Sequence, residues 1–361
     1  MASIHQLVAG LAGGDAISNE ARVLQSVFQS WGFNARIYAD AARILPEYRK
    51  ETGDAAQLHN DVNDDDIVLL HLSIGSVVND IFERLTCRKA LLYHNITPPH
   101  YFELINRQTA SHLQRGRLQL AQLKDACALN LADSQFNANE LGALGYANPK
   151  VFPLVLDFSM LRSEPDPKVT HRLNDGKKNI VFVGRCAPNK CVDDLIQAFS
   201  VFHHCVEPNS RFIHVGSYAG TERYYHLLQS YVRESGLNDA VEFTGSVTQS
   251  QLNAYYQSAD VFLCMSEHEG YCIPVIEAML NQTPVMAYAE AAVPETMDGA
   301  GVLFREKDFE SIAEMLGRLC HDTTLRAAII QGQQERLARL ETRDLATELK
   351  THFAPLLGDL T

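Results

Sequence analysis

Val261-Phe262-Leu263-Cys264-Met265-Ser266-Glu267-His268-Glu269-Gly270-Tyr271-Cys272-Ile273-Pro274-Val275-Ile276-Glu277-Ala278-Met279 is the stretch on which the reading of this chain turns. Its first five residues form an unbroken apolar run, which predicts a buried strand. Gly270 permits a tight turn. Pro274 suits the first position of a helix, where its missing N–H costs nothing. The pattern is strand, loop, helix, and the helix mouth carries free backbone amides that attract anions. Two carboxylates frame that mouth, Glu269 in the loop and Glu277 about one turn inside the helix. An anion on the amides would repel Glu269, so this carboxylate is expected to meet the neutral part of a ligand, such as sugar hydroxyls, or a growing cationic centre. Glu277 is placed to accept hydrogen bonds from a diol such as a ribose. For two isolated glutamates the plainer account is a helix-dipole partner and a solvated loop residue; the surrounding pattern changes that balance.

Upstream, Asn179-Ile180-Val181-Phe182-Val183 reads as a strand. Gly184-Arg185-Cys186-Ala187-Pro188-Asn189-Lys190 follows it, and then a helix from about Val192 to Phe202. Two cations bracket a strand–helix loop whose glycine lets the backbone approach a ligand. Arginine binds two phosphate oxygens at once and lysine adds a point charge, the basic partner a diphosphate needs.

These strings together are identified as belonging to a family. Ser266-Glu-His-Glu-Gly-Tyr-x-x-Pro-x-x-Glu-Ala, preceded by Ala259-Asp260-Val261-Phe262-Leu263, resembles the signature of retaining glycosyltransferases of GT-B fold, family 4 (group 1). The resemblance is strong over residues 179–305 and loose over 4–156. It implies an α/β chain with two Rossmann-like domains whose parallel sheets face a central cleft. It further implies Arg185 and Lys190 on the donor diphosphate, Glu277 on the ribose, Gly184 and the amides near Gly270, Tyr271 and Cys272 against the leaving group, and Glu269 on the sugar. Val241-Glu242-Phe243-Thr244-Gly245-Ser246-Val247 resembles the segment whose backbone meets the nucleobase, so Val247 joins the donor set. The implied reaction needs no cofactor and no divalent metal, because the cations and amides stabilise the departing diphosphate.

The first half alternates strand-like and helix-like segments as the second does, which predicts parallel sheets covered by helices. His5–Ala9 reads as a strand, a Gly-rich loop follows at residues 10–17, and a helix runs from about Asn19 to Trp31, with Ala21, Leu24, Val27, Phe28 and Trp31 at helical spacing. The loop lacks Gly-x-Gly-x-x-Gly, so a dinucleotide reading finds little support. In the family this loop faces donor phosphate and acceptor, which makes Gly13, Gly14 and Asp15 candidates; a plain turn is the alternative for Asp15. Ile67–Leu72 is a strand, preceded by Asp64-Asp65-Asp66. A metal-binding Asp-x-Asp would follow its strand, so a solvated turn is expected here. Lys89–Tyr93 ends in His94-Asn95-Ile96-Thr97-Pro98-Pro99, placing His94 on the sheet edge where ligands bind. The resemblance puts a sugar-contacting histidine there. Residues 101–124 read as a helix with Arg107, His112, Arg115, Arg117 and Lys124; anionic lipid or a phosphorylated acceptor would suit it, and a solvated face is the plainer account.

The division expected is 1–156 for the acceptor domain, 157–178 for a polar linker and 179–344 for the nucleotide-sugar domain. A last helix of about 345–361 is able to cross back onto the first. At 361 residues each half is long enough to bury a substantial core. The net charge of −13 argues against nucleic acid as the main partner. The eight scattered cysteines include no Cys-x-x-Cys, and Cys87, Cys127, Cys186, Cys205, Cys264 and Cys320 read as core thiols of a reducing compartment. With no signal peptide and no spanning run, a cytoplasmic protein is expected, with peripheral membrane contact left open. The expected partners are a nucleotide-diphosphate sugar, such as a GDP- or UDP-hexose, and a saccharide or lipid-linked saccharide acceptor, as in polysaccharide or lipopolysaccharide assembly. A nucleotide-sugar epimerase, a phosphorylase, or a non-catalytic nucleotide-sugar-binding subunit are the alternatives.

Overall fold

The computed structural model describes residues 2–13 and 15–358, so Gly14 lies outside the described residues. The chain divides into two compact units. One gathers Met1–Pro99, Gln108–Asp157 and Arg343–Thr361; the other gathers His100–Arg107 and Phe158–Thr342.

The first unit carries β1 (Ile4–Val8), α1 (Ala16–Ser30), β2 (Ile37–Ala39), β3 (Gly53–Asp54), β4 (Ile67–Leu72), α2 (Val77–Arg84), β5 (Arg88–Tyr93), most of α3 (Arg107–Gln122), β6 (Leu129–Ala132), α4 (Gln135–Ala143) and β7 (Lys150–Val151). Its seven strands run in the order β3-β2-β1-β4-β5-β6-β7, all parallel. β1, β4 and β6 bury every residue, as strands covered on both faces must. The second unit carries α5 (Phe158–Leu161), α6 (Pro167–Leu173), β8 (Lys178–Val183), α7 (Val192–Val201), β9 (Ser210–Val215), α8 (Glu222–Glu234), β10 (Val241–Phe243), α9 (Gln249–Gln257), β11 (Val261–Cys264), α10 (Ile273–Leu280), β12 (Val285–Tyr288), α11 (Val293–Met297), β13 (Val302–Phe304), α12 (Phe309–His321) and α13 (Thr323–Glu341). Its sheet is also parallel, in the order β10-β9-β8-β11-β12-β13. The order reverses between β8 and β11, and open parallel sheets bind ligands at the carboxyl ends of the strands beside such a point.

The final helix, α14 (Leu345–Leu357), belongs to the first unit. Leu349, Phe353, Leu356 and Leu357 complete a core with Ile4, Leu24, Phe28, Leu69, Leu129 and Phe152. Phe28 and Phe353 meet with ring centroids 5.3 Å apart. Arg343 ties the helix start to the body of the unit, donating to Pro153 O at 3.0 Å and pairing with Glu348.

Several local features differ from the sequence reading, each for a physical reason. α1 begins at Ala16 because Asp15 caps it; its carboxylate accepts from the Ser18 N–H at 2.9 Å and the Ser18 hydroxyl at 2.7 Å. The stretch read as linker carries α5 and α6. Asp166 caps α6 through the N–H groups of Lys168 and Val169, and α6 packs on α9. The helix expected from residue 101 starts at Arg107, and residues 100–107 form a strap on the second unit. There Asn106 donates to Gly220 O at 2.8 Å and Arg223 donates to Leu104 O at 2.7 Å. Two cations of α3 are paired rather than free, Arg115 with Asp80 and Arg117 with Glu140. The acidic turn before β4 is only partly solvated: Asp66 is buried and accepts from the N–H groups of Ser3 and Asn63 at 2.6 and 2.8 Å. Among the cysteines read as core thiols, Cys205 is exposed, because it lies in the turn where the chain leaves α7, and Cys127 is half-buried. No helix among the described residues is long and apolar enough to cross a membrane.

Candidate active site

The carboxyl edge of the second sheet assembles the candidate donor residues. β8 ends at Val183, and Gly184 follows with φ +157°. β9 ends at Val215, and Gly216 follows with φ +151°; a Cβ there would overlap the carbonyl oxygen of Gly184. The two strand ends therefore touch through bare backbone, a contact only glycine permits. Arg185 is exposed on this edge and donates to Ala219 O at 3.2 Å. Val247, half-buried, stands in the loop after β10.

The loop from Met265 to Cys272 is held from beneath by a residue the sequence reading passed over. Asn189, 4% exposed, donates to His268 O at 3.1 Å, while its own carbonyl accepts from the Glu267 N–H at 3.0 Å. Thr296, fully buried, donates its hydroxyl to Tyr271 O. Cys272 takes a left-handed conformation, φ +69°, and leads into α10, which starts at Ile273. Pro274 is thus the second helical residue rather than the first. The change is harmless, because the first four helix amides have no intrahelical partner.

Lys190 and Glu269 form an ion pair, with Nζ 2.6 Å from Oε1 and side chains 20% and 10% exposed. Burial is the largest single influence and disfavours the Lys190 charge, but the Glu269 carboxylate together with the neighbouring Cys272 and Cys264 raises the ammonium on balance. Glu277, 9% exposed, accepts from the Tyr256 hydroxyl at 3.0 Å. Burial pushes its carboxyl up to about 7, with the Tyr256 hydrogen bond opposing. Lys307, also absent from the sequence reading, bridges Asp194 at 2.5 Å and Glu267 at 2.8 Å. Glu267 further accepts from the Tyr101 hydroxyl at 3.2 Å.

Within the first unit, Gly10, Ala12, Asp15, Ser18, Arg43 and Ser73 line a pocket of about 290 Å³. Gly13 borders the same loop; a Cβ there would lie 3.0 Å from the Tyr48 hydroxyl. His94 follows β5 as expected, but its ring is 2% exposed and faces the interior. It meets His71 at 3.0 Å, Glu20 at 3.4 Å and Asp133 at 3.6 Å. Contact with a sugar would require that group to open. Glu20 and His71 were missed, although each leaves a mark in the sequence. Glu20 is a carboxylate beside Ala21 and Leu24 on the apolar face of α1, and His71 interrupts an otherwise apolar strand.

Residues 164–350 match the family model described as "Glycosyl transferases group 1". The chain belongs to the group 1 glycosyl transferases. Among curated relatives of this group 1 chain is D-inositol 3-phosphate glycosyltransferase of Salinispora tropica, 31% identical over 162 residues, covering 43% of this chain and 33% of the relative. The chain spans about a third to under half of the length of the curated relatives it matches. Sucrose-phosphate synthase from Thermosynechococcus elongatus superposes with a TM-score of 0.75 at 16% identity, over 99% of both chains. The Anabaena protein HepE, solved in complex with UDP-glucose, superposes with a TM-score of 0.71 at 18% identity, over 98% and 99%. These likenesses establish the fold class, GT-B, with two Rossmann-like units of parallel sheet.

Proposed function

We propose that this group 1 chain transfers a hexose-type sugar from a nucleoside-diphosphate donor to a hydroxyl of a saccharide or lipid-linked saccharide. The observation that carries the reading is the ion pair of Lys190 and Glu269 between the loops that follow β8 and β11, with Arg185 on the first loop and Glu277 within α10. A relative named as a D-inositol 3-phosphate glycosyltransferase favours glycosyl transfer, and a structural neighbour solved with UDP-glucose favours a nucleoside-diphosphate sugar as donor.

The physical problem is to stabilise a departing diphosphate while cationic character grows on the sugar. Arg185, Lys190 and the helix amides supply positive potential where negative charge develops. Glu269 orients the sugar hydroxyls and offsets the growing positive charge. Glu277 accepts from the ribose diol. The diphosphate needs no divalent metal in this scheme, and the configuration at the anomeric carbon is retained, with the leaving oxygen taking the acceptor's proton. The pocket beside Arg43 is the acceptor's place in the first unit. Such a chain works in surface-polysaccharide assembly on the cytoplasmic side.

The test is a panel of nucleoside diphosphates read by thermal stability, followed by donor–acceptor assays with anomeric product analysis. A specific diphosphate is expected to raise the melting temperature, and Arg185→Ala and Lys190→Ala to remove the effect. If no diphosphate stabilises the protein, the donor site is wrong. If a donor is converted without an acceptor, transfer is the wrong chemistry.

A further inference from the structure

The structure assigns the cluster of Glu20, His71 and His94 as a buried binding site for one divalent transition-metal ion of the zinc class. Three acceptor atoms converge there: His71 Nδ1 and His94 Nε2 are 3.0 Å apart, His94 Nε2 and Glu20 Oε2 3.4 Å, and His71 Nδ1 and Glu20 Oε2 3.7 Å. A tetrahedral zinc with ligands at about 2.0–2.1 Å sets neighbouring ligand atoms roughly 3.3 Å apart. The triangle brackets that spacing. All three side chains are 0–2% exposed.

The hydrogen bonds around the cluster fix which atoms carry lone pairs. Gln6 donates its amide to Ala21 O, so its Oε1 faces His71 Nε2 as an acceptor at 2.9 Å, and the His71 proton sits on Nε2. His94 Nδ1 faces the Asp133 carboxylate at 3.6 Å, which favours a proton there. With both rings neutral the inward nitrogens carry lone pairs, and they face Glu20 Oε2, a buried carboxyl oxygen with no hydrogen-bond donor. Its sister oxygen is occupied by the Val155 N–H at 2.9 Å. Three lone pairs aimed at one point repel one another unless a proton or a metal ion stands between them. Histidine ligands whose outer nitrogens meet a carboxylate or carbonyl acceptor are the usual outer shell of a metal site.

A single proton on His94 Nε2 is the rival occupant, since the two rings lie within 2° of parallel and are able to share it. In that arrangement the imidazolium gives its Nε2 proton to His71 at 3.0 Å and reaches Glu20 Oε2 only at 3.4 Å, whereas a metal ion satisfies all three atoms. The two other three-ligand groups among the described residues already hold a cation. Lys190 sits on Glu269 beside Cys264 and Cys272, and Lys307 sits on Asp194 and Glu267 beside Cys191. Among the described residues no lysine or arginine pairs with Glu20. The ion ties β4, α1 and the segment after β5 together inside the first unit; the proposed reaction handles the donor diphosphate without metal.

The full chain purified without chelator from zinc-supplemented cells is expected to hold one zinc per chain by elemental analysis. Stripping with a strong chelator lowers its melting temperature, and zinc restores it. Cobalt loaded into the stripped chain gives visible bands of a four-coordinate nitrogen–oxygen site, without the near-ultraviolet thiolate charge transfer that the cysteine clusters would produce. Glu20→Gln and His71→Gln are expected to lose the metal and the chelator response. A folded wild-type chain that takes up neither zinc nor cobalt overturns the assignment in favour of the shared proton. Metal retained equally by the two variants, or cobalt spectra with thiolate charge transfer, overturns it in favour of a site elsewhere.

Discussion

Lys190 Nζ lies 2.6 Å from Glu269 Oε1, so the residues expected at the phosphate end and the sugar end of a donor are bound to each other. An incoming diphosphate competes with a carboxylate for the same ammonium. Glu269→Gln removes that competitor. It is expected to lower kcat by about 10²–10³ while nucleoside-diphosphate affinity stays equal or rises. Lys190→Ala is expected to weaken diphosphate binding by about 1.5–3 kcal/mol. The double variant departs from the sum of the two, because the residues touch. Calorimetric titration and steady-state kinetics check this, and undiminished turnover in Glu269→Gln would remove its assigned role.

Glu277 predicts a pH signature. Its carboxyl is raised from an ordinary value of 4.5 to about 7 by burial. A ribose diol donating to it favours the carboxylate, so donor binding near pH 7 is expected to release protons and to tighten as pH rises through about 7. Glu277→Gln should abolish both, read by calorimetry in buffers of different ionisation enthalpy. The sign for stability is opposite. A raised carboxyl favours the fold at low pH, and the benefit is lost as pH climbs from 4.5 through about 7. Glu277→Gln therefore gains on the wild type between pH 5 and pH 8, by at most about 3 kcal/mol. Denaturant melts at the two pH values measure it.

Gly216→Ala places a methyl against the Gly184 carbonyl at a φ of +151°. The expected cost is about 1–3 kcal/mol, with loss of diphosphate binding because the Gly184–Arg185 backbone must shift. At Gly184 the atoms nearest an added Cβ belong to the Phe182 ring, the first at 3.0 Å, and not to backbone. Gly184→Ala is expected to be the milder change, by both thermal melt and nucleotide titration.

Phe353→Ala should destabilise the first unit by about 3–5 kcal/mol, because the ring is fully buried against Phe28. Hydrogen exchange is expected to rise in β1, β4 and β6. Unchanged exchange there would mean that α14 is dispensable to that core.

Much of the fold was legible because each buried strand announces itself. β4 is legible from Ile67 to Leu72, the residues observed, since an acidic turn and Ser73-Ile74-Gly75 bound a run that is apolar except at His71. The places of Arg185 and Lys190 in the loop after β8, of Glu269 in the loop after β11 and of Glu277 in α10 are legible in the sequence from the apolar runs that precede them. The clamp by Asn189 was not, because its bonds run to main-chain groups 78 and 79 residues away, and no side-chain pattern records a main-chain partner. Chain position alone puts residues 100–107 with the first half, whereas the hydrogen bonds from Asn106 to Gly220 O and from Arg223 to Leu104 O place them on the second unit. His94 was placed at the right strand end, but the inward turn of its ring depends on Glu20 and His71, which come from distant parts of the chain.

The contribution of α14 to the first core also sets an order of events during synthesis. The ribosome delivers Ile4, Phe28 and Leu129 early, but their apolar partners Leu349 and Phe353 emerge only after the whole stretch Phe158–Thr342 has been made. At bacterial or eukaryotic elongation rates of about 5–20 residues per second, that is a delay of roughly ten to forty seconds. The half of the chain that is translated first is therefore the half that is finished last. Through that interval it presents a sticky, incomplete face that invites a chaperone.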